Sequence, residues 1–89
     1  MPTMKQWRVE IFIDEDGRQT YAKARLETQR ETRLQGTGSA RRNPRDADIP
    51  EIGDELAVAR ALSDLAHKLL HAAAEDIESI THQPTHLRA

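Results

Sequence analysis

WRVEIFIDEDGRQTYAKARLE, residues 7–27, is the stretch that decides the fold. Its first segment alternates apolar and polar residues, with one face formed by Trp7, Val9, Ile11 and Ile13. This period of two predicts a half-buried strand over about 6–14. Asp16-Gly17 is a strong hairpin signal, because glycine adopts the positive φ that tight turns require. We therefore predict that a second strand, about 19–28, returns antiparallel to the first, with Thr20, Ala22, Ala24 and Leu26 facing the core.

The rest of the chain predicts a third strand and one long helix. The third strand, about 32–42, would turn Leu34, Gly36, Gly38 and Ala40 inward. Small residues there leave room for a helix to pack closely. After Asn43-Pro44 the period becomes helical, with apolar residues every three or four positions over about 52–80. The prediction is one α+β domain spanning 1–89, with an ordered core of about 6–82: a three-stranded antiparallel sheet (β-β-β-α) with a long C-terminal helix on one face.

Composition limits the class of protein. The chain has no Cys among its 89 residues, which excludes disulfides and cysteine-based metal sites. No stretch approaches the ~20 apolar residues of a membrane span. We expect a soluble, cytoplasmic protein that does not associate with membranes.

The apolar supply also predicts a homodimer. The larger aliphatic and Phe residues number only 8 Leu, 6 Ile, 2 Val and 1 Phe, yet the apolar arc of the helix is wider than three strands can cover. Exposed apolar patches of that size are uncommon on monomers. The uncovered side would carry Val58, Leu62, Leu65 and Leu69; alternatively, the strand edges would pair.

Charge is divided unevenly along the chain. Residues 1–45 carry ten Lys/Arg against six acids, whereas residues 46–89 carry three against nine. Alternation directs one set of cations to the outward sheet face, with Arg42 close by: Arg8, Lys23, Arg25, Arg33 and Arg41. With Phe12 and Tyr21 as stacking surfaces, this face could bind single-stranded or ribosomal RNA. Alternatively, the arginines pair with Glu10, Asp14 and Glu27 on neighbouring strands.

Metal binding and catalysis find little support in the sequence. His67 and His71 lie one helical turn apart near Asp64 and Glu75, but Lys68 occupies the position where a zincin carries its glutamate. A surface pair of histidines, with Asp64 and Lys68 as a helical ion pair, fits better. His82 is a candidate helix C-cap. We predict no catalytic residue, cofactor, metal or small-molecule substrate, and hence a non-enzyme.

Four strings resemble a known family: AKARL (22–26), GTGSARRNP (36–44), IPEIGDELAVARALSDL (49–65) and DIESITHQP (76–84). They are similar to a family of small, functionally uncharacterised actinobacterial proteins described as having a double-stranded-RNA-binding-domain-like (dsRBD-like) fold. The resemblance implies a β-β-β-α unit that frequently self-associates, a role in stress or dormancy, and a topological likeness to ribosome hibernation factors. It implies no reaction.

Two departures argue against duplex RNA binding. True double-stranded-RNA-binding domains begin with a helix, but here only six residues precede the first strand. They also place lysines at the start of the last helix, where this chain has Glu51, Asp54 and Glu55, which would repel phosphate. The favoured function is a stress- or dormancy-associated protein whose basic sheet face contacts ribosomal RNA or the ribosome. The rival is a homodimeric interaction module that binds no nucleic acid.

Overall fold

The α+β architecture predicted from the sequence is confirmed. A computed structural model describes residues 2–29, 34–43 and 49–87. The elements are β1 (Arg8–Asp16), β2 (Gln19–Glu27), β3 (Gln35–Arg41) and α1 (Pro50–Thr81). The strands form an antiparallel sheet in the order β1-β2-β3. Residues 2–7, the described part before β1, contain no helix.

The Asp-Gly turn sets the register of the sheet. Gly17 has a φ of 61°, and the turn brings Asp16 opposite Gln19. β1 therefore extends two residues beyond the predicted end, because the hairpin continues to pair through acidic positions. α1 begins at Pro50, two residues before the predicted start, with proline in its first turn. It ends at His82, a C-cap in the left-handed region whose N–H donates to Glu78 O, as predicted.

The core lies between α1 and the adjacent strands β2 and β3. Its buried members are small apart from two leucines: Ala22, Ala24, Leu26, Ala40, Ala57, Ala61 and Leu65. Gly36 and Gly38 allow the helix to rest directly on β3, since a Cβ at either position would collide with helix backbone atoms of Ala61. The prediction that these glycines permit close helix packing is confirmed.

The expectation of a half-buried first strand is not met in the single chain. The register places Val9, Ile11 and Ile13 on the helix-facing side, opposite Leu26, Ala24 and Ala22. They nevertheless remain 43%, 37% and 46% exposed, and Trp7, just before β1, is 57% exposed. The physical reason is the position of α1, which rests on the glycines of β3 and leaves the opposite side of the sheet uncovered.

The overall shape is elongated. An α-helix of 32 residues is about 48 Å long, so α1 extends past strands of 7 to 9 residues. The accessible surface is 7526 Å², whereas a compact monomer of this mass exposes about 5300 Å². The radius of gyration is 16.7 Å, against about 12 Å for a compact chain of this length. Within the described residues, no helix is both long and apolar enough to cross a membrane.

Candidate functional site

The outer sheet face, the side away from α1, carries the predicted cations. Strand pairing places Arg8, Lys23, Arg25 and Arg41 there, together with Phe12 and Tyr21. Arg33 lies outside the described residues. The same strand pairing brings four acids to this face: Glu10, Asp14, Asp16 and Glu27. Among the described residues the formal charge of this face is therefore zero (four cations minus four acids), so these residues do not form a basic platform.

Arg25 is the most engaged of these cations. Its guanidinium nitrogen lies 3.4 Å from a carboxylate oxygen of Glu10 and 3.4 Å from one of Glu27. Its Cζ lies 5.3 Å from the Phe12 ring centroid, which is within cation–π range. The arginine pairing considered as the alternative to RNA binding is thus present at Arg25.

Glu10 and Glu27 share a proton-sensitive contact. Their mutual side-chain hydrogen bond lowers the pKa of Glu10 and raises the pKa of Glu27, and Arg25 further lowers the pKa of Glu10. As pH falls, Glu27 therefore takes up the shared proton first. Both carboxyls are solvent-accessible, so the contact adjusts surface charge and has little effect on the core.

Arg42 lies apart from the outer face. Its backbone N–H donates to Arg18 O, which continues the pairing of β2 with β3 by one residue. Because successive residues alternate between the two faces, Arg42 lies on the opposite face from Arg41. Arg42 helps to line a cavity of about 350 Å³ beside the start of α1, together with Arg18, Ile49 and Leu56. By strand parity Arg42 is therefore separated from the outer-face cations, and Arg41 also lines this cavity.

On the opposite side of the sheet, an apolar surface runs beside β1. Its floor is the helix-facing side of β1, and its wall is the flank of α1 turned away from β3. We call this surface the β1 groove, formed by Val9, Ile11, Ile13, Val58, Leu62 and Leu69. Val58 and Leu69 are half-buried against the core, while Leu62 is exposed.

One predicted dimer residue does not belong to this surface. Leu65 is only 3% exposed and forms part of the core of its own chain, so its assignment to the uncovered side is corrected. It lies closer than Leu62 to the centre of the buried helix stripe formed by Ala57 and Ala61. Val58, Leu62 and Leu69 remain available on the groove side.

Side chains of α1 bond to three backbone groups on the outer edge of β3. Arg60 donates to Ser39 O at 2.7 Å, Lys68 donates to Gln35 O at 2.8 Å, and Thr37 N–H donates to Asp64 Oδ2 at 2.8 Å. The predicted Asp64–Lys68 ion pair is confirmed at 3.1 Å. The Thr37 N–H and the Lys68 ammonium lower the pKa of Asp64.

These edge contacts were not predicted from the sequence. The available signal was the spacing of Arg60, Asp64 and Lys68, which recur every fourth residue along one flank of the helix. Such spacing also fits solvated ion pairs, so only the position of the helix over β3 reveals their role.

The histidines make local contacts. His67 Nδ1 lies 2.8 Å from Ser63 O, and His71 Nε2 lies 2.9 Å from Glu75 Oε1. Over the described ranges 2–29, 34–43 and 49–87, no group of three or more His, Asp or Glu side chains is arranged to hold a metal ion.

The fold and its surfaces define a small α+β protein with an antiparallel sheet, one helix that packs on β2 and β3, and a first strand that the helix does not cover. The chain belongs to the Rv2632c-like family, whose model matches residues 5–86. It is 55% identical over 84 residues to the uncharacterised protein Mb1767 of Mycobacterium bovis, a match covering 94% of this chain and 88% of that protein. It is 46% identical over 80 residues to the uncharacterised protein Rv2632c of Mycobacterium tuberculosis, covering 90% and 85%.

A solved structure shares the architecture. The crystal structure of Rv2632c aligns with a TM-score of 0.83 at 44% sequence identity, covering 93% of this chain and 98% of that chain. Both the fold and the family are therefore established, while the names of these relatives assign no activity.

Proposed function

We propose that this protein is a non-enzymatic interaction module that acts as a homodimer. The observation that supports the proposal is the β1 groove, whose floor residues Val9, Ile11 and Ile13 are 37% to 46% exposed although they share a sheet face with the core. Exposing apolar surface of this kind costs about 25 cal/mol per Å² relative to its burial. A partner that covers β1 would recover that free energy.

The total surface supports the same proposal. The chain exposes 7526 Å², about 2200 Å² more than a compact monomer of its mass. Standard protein interfaces bury about 800 Å² per partner. An interface of that size accounts for less than half of the excess, so the overhang of α1 can remain free in the dimer.

Sedimentation equilibrium at micromolar concentration tests the proposal. We expect a mass of twice 10.1 kDa for the wild type, and a shift towards the monomer mass for Ile11→Asp, which places a charge on the groove floor. Ile80→Asp is the matched control, because Ile80 is 79% exposed on the overhanging part of α1. Circular dichroism checks that both variants fold. A wild-type mass of 10.1 kDa would refute the homodimer.

RNA contact through the outer sheet face is the second candidate. The specific observation in its favour is that Lys23 and Arg41 have no ion pair with any described residue. Both lie on the same face as Tyr21 and Phe12. The dsRBD-like fold and the likeness to ribosome hibernation factors implied by the family resemblance add the ribosome as a partner, with a role in stress or dormancy. The zero formal charge of the described residues on this face makes this candidate weaker than the first.

Salt dependence tests the second candidate. If RNA is bound, the affinity for a fluorescent single-stranded RNA should fall with a log–log slope of roughly −0.7 per phosphate contacted. Lys23→Glu with Arg41→Glu should abolish binding, whereas Lys5→Glu, a charge change on an exposed residue before β1, should not. RNA binding by the double variant equal to that of the wild type, or no binding by the wild type at low salt, would eliminate this candidate.

A further inference from the structure

The two outer edges of the sheet differ in their hydrogen bonding. On β3, three of the outward groups, Gln35 O, Thr37 N–H and Ser39 O, bond to side chains of α1. On β1, no described residue bonds to the outward backbone groups of Val9, Ile11 and Ile13. A row of unpaired backbone groups is a template for another strand.

The hydrogen bonds between the strands determine which residues of β1 direct their backbone N–H and C=O groups away from β2. Leu26 N–H donates to Leu34 O and Arg42 N–H donates to Arg18 O, so even residues of β2 point towards β3. Odd residues of β2 must therefore point towards β1, where they pair with even residues. The backbone groups of the odd-numbered residues of β1 therefore point away from the sheet. The side chains of these same residues form the floor of the β1 groove.

We propose that two copies of this chain join through antiparallel pairing of β1 with β1, centred on Ile11, to form a continuous six-stranded sheet. The inference rests on the proposed homodimer and specifies its register. Ile11 faces the partner's Ile11, Val9 faces the partner's Ile13, and Arg8 faces the partner's Asp14. All pairs on the groove side are apolar, and the charged pair on the outer face is attractive.

Charge selects this register over its neighbours. If one strand slides by two residues in either direction, odd-numbered residues still pair with odd-numbered residues, so the same backbone groups can form the hydrogen bonds. One slide brings Glu10 opposite the partner's Glu10, and the other brings Glu10 opposite the partner's Asp14. Like charges directly opposite each other destabilise an antiparallel pair. In the proposed register Glu10 instead faces the partner's Phe12.

The pairing also joins the two grooves. The floor residues of both copies become neighbours across the new strand pair, with Cα atoms about 5.5 Å apart at hydrogen-bonded positions. Both helices lie on the same face of the six-stranded sheet, each with its Val58, Leu62 and Leu69 flank turned towards the two-fold axis. Each floor residue thereby gains an apolar neighbour that the single chain does not supply.

Disulfide trapping tests the register, because the wild-type chain contains no Cys. With Ile11→Cys, the two Cα atoms would lie about 5.5 Å apart, inside the range that a disulfide spans. We expect most of this variant to shift to the two-chain mass on a non-reducing gel after mild oxidation. Ile13→Cys is the matched control, because its two copies would be separated by four residues along the strand, about 13 Å. A mixture of Val9→Cys and Ile13→Cys chains should cross-link to each other.

A charge variant provides an independent measurement. Asp14→Arg would replace two attractive pairs in the dimer with two repulsive ones, and we expect the dimer dissociation constant to rise by about two- to thirtyfold. Asp16→Arg makes the same change on the same face but outside the paired region, and should leave the constant unchanged. A larger effect of Asp16→Arg would indicate the neighbouring register and overturn the proposed one.

The outcomes separate this inference from the proposed function. A wild-type dimer in which Ile11→Cys cross-links no better than Ile13→Cys overturns β1 pairing and leaves the homodimer standing. A monomer in sedimentation overturns both. Efficient linkage of Ile11→Cys, together with weakening by Asp14→Arg alone, supports the register.

Discussion

Replacing Gly38 with Ala tests the contact that determines where α1 lies. A Cβ at Gly38 would meet backbone atoms of Ala57 and Ala61, which cannot rotate away. The helix must therefore lift from β3. Overpacking of this kind costs about 1–3 kcal/mol, and the stiffer unfolded chain offsets about 0.4–1 kcal/mol of that loss. The net expectation is a loss of about 1–2 kcal/mol.

This loss of unfolding free energy can be expressed as a decrease in melting temperature. Unfolding entropy near 2.1 cal/mol/K per residue gives about 0.19 kcal/mol/K for this chain of 89 residues. Each kcal/mol then corresponds to about 5 °C, and Gly38→Ala should melt about 5–10 °C below the wild type. The assay is thermal unfolding by circular dichroism at one fixed protein concentration, because association makes the melting temperature depend on concentration.

Gly53→Ala is the matched control for the same substitution. A Cβ there would approach the Thr20 hydroxyl at 2.9 Å and the Thr20 Cβ at 3.8 Å, so a side chain and not the backbone would have to shift. Alanine also favours the helix by about 1 kcal/mol over glycine. Gly53→Ala should therefore be neutral or stabilising. If Gly38→Ala melts as high as Gly53→Ala, the direct seating of α1 on the backbone of β3 is incorrect.

Three further predictions follow from single contacts. Leu65→Ala should lose about 2–5 kcal/mol in urea unfolding, because Leu65 is one of two large side chains in the core; a loss below 1 kcal/mol would contradict its burial. His82→Gly should raise the melting temperature, since His82 holds a φ of 60° that glycine adopts without strain; an unchanged or lower value would argue against the left-handed cap. The lowered pKa of Asp64 means that its stabilising contribution is fully present above the ordinary value of 3.8 and is lost as pH falls through the lower native pKa. Asp64→Asn should therefore lose less stability than the wild type on acidification, as measured by urea unfolding at neutral and acidic pH; equal losses would refute the assignment.

The sequence was sufficient to predict the elements and the face that each strand turns inwards. Asp16-Gly17 determined the hairpin, and strict alternation identified Ala22, Ala24 and Leu26 as core residues. Alternation cannot say which strands a helix covers, because it describes a face and not a position across the sheet. For that reason alternation predicted a half-buried first strand, whereas Val9, Ile11 and Ile13 are exposed in the single chain.

The charge of the outer face shows the same limit. Alternation correctly placed Arg8, Lys23, Arg25 and Arg41 on one face with Glu10, Asp14 and Glu27, but it did not predict Asp16 there. Asp16 belongs to the same face because β1 continues through the acidic residues before the turn. Arg42 departs because the ladder continues past β3 with the opposite parity. Both corrections depend on where the strands end, which is set by the turn and by pairing across the sheet.

The closure of β3 by Arg60, Asp64 and Lys68 sets an upper limit on assembly. A sheet with two unprotected edges can add neighbours at both sides and grow into a filament without a defined end. Here three outward groups of the second edge are bonded to side chains of the chain's own helix, so in the proposed dimer both remaining edges are β3 edges protected in this way. With the proposed pairing, we expect growth by strand addition to stop at two copies. The same three side chains that stabilise the helix on the sheet thus also protect the protein from open-ended aggregation.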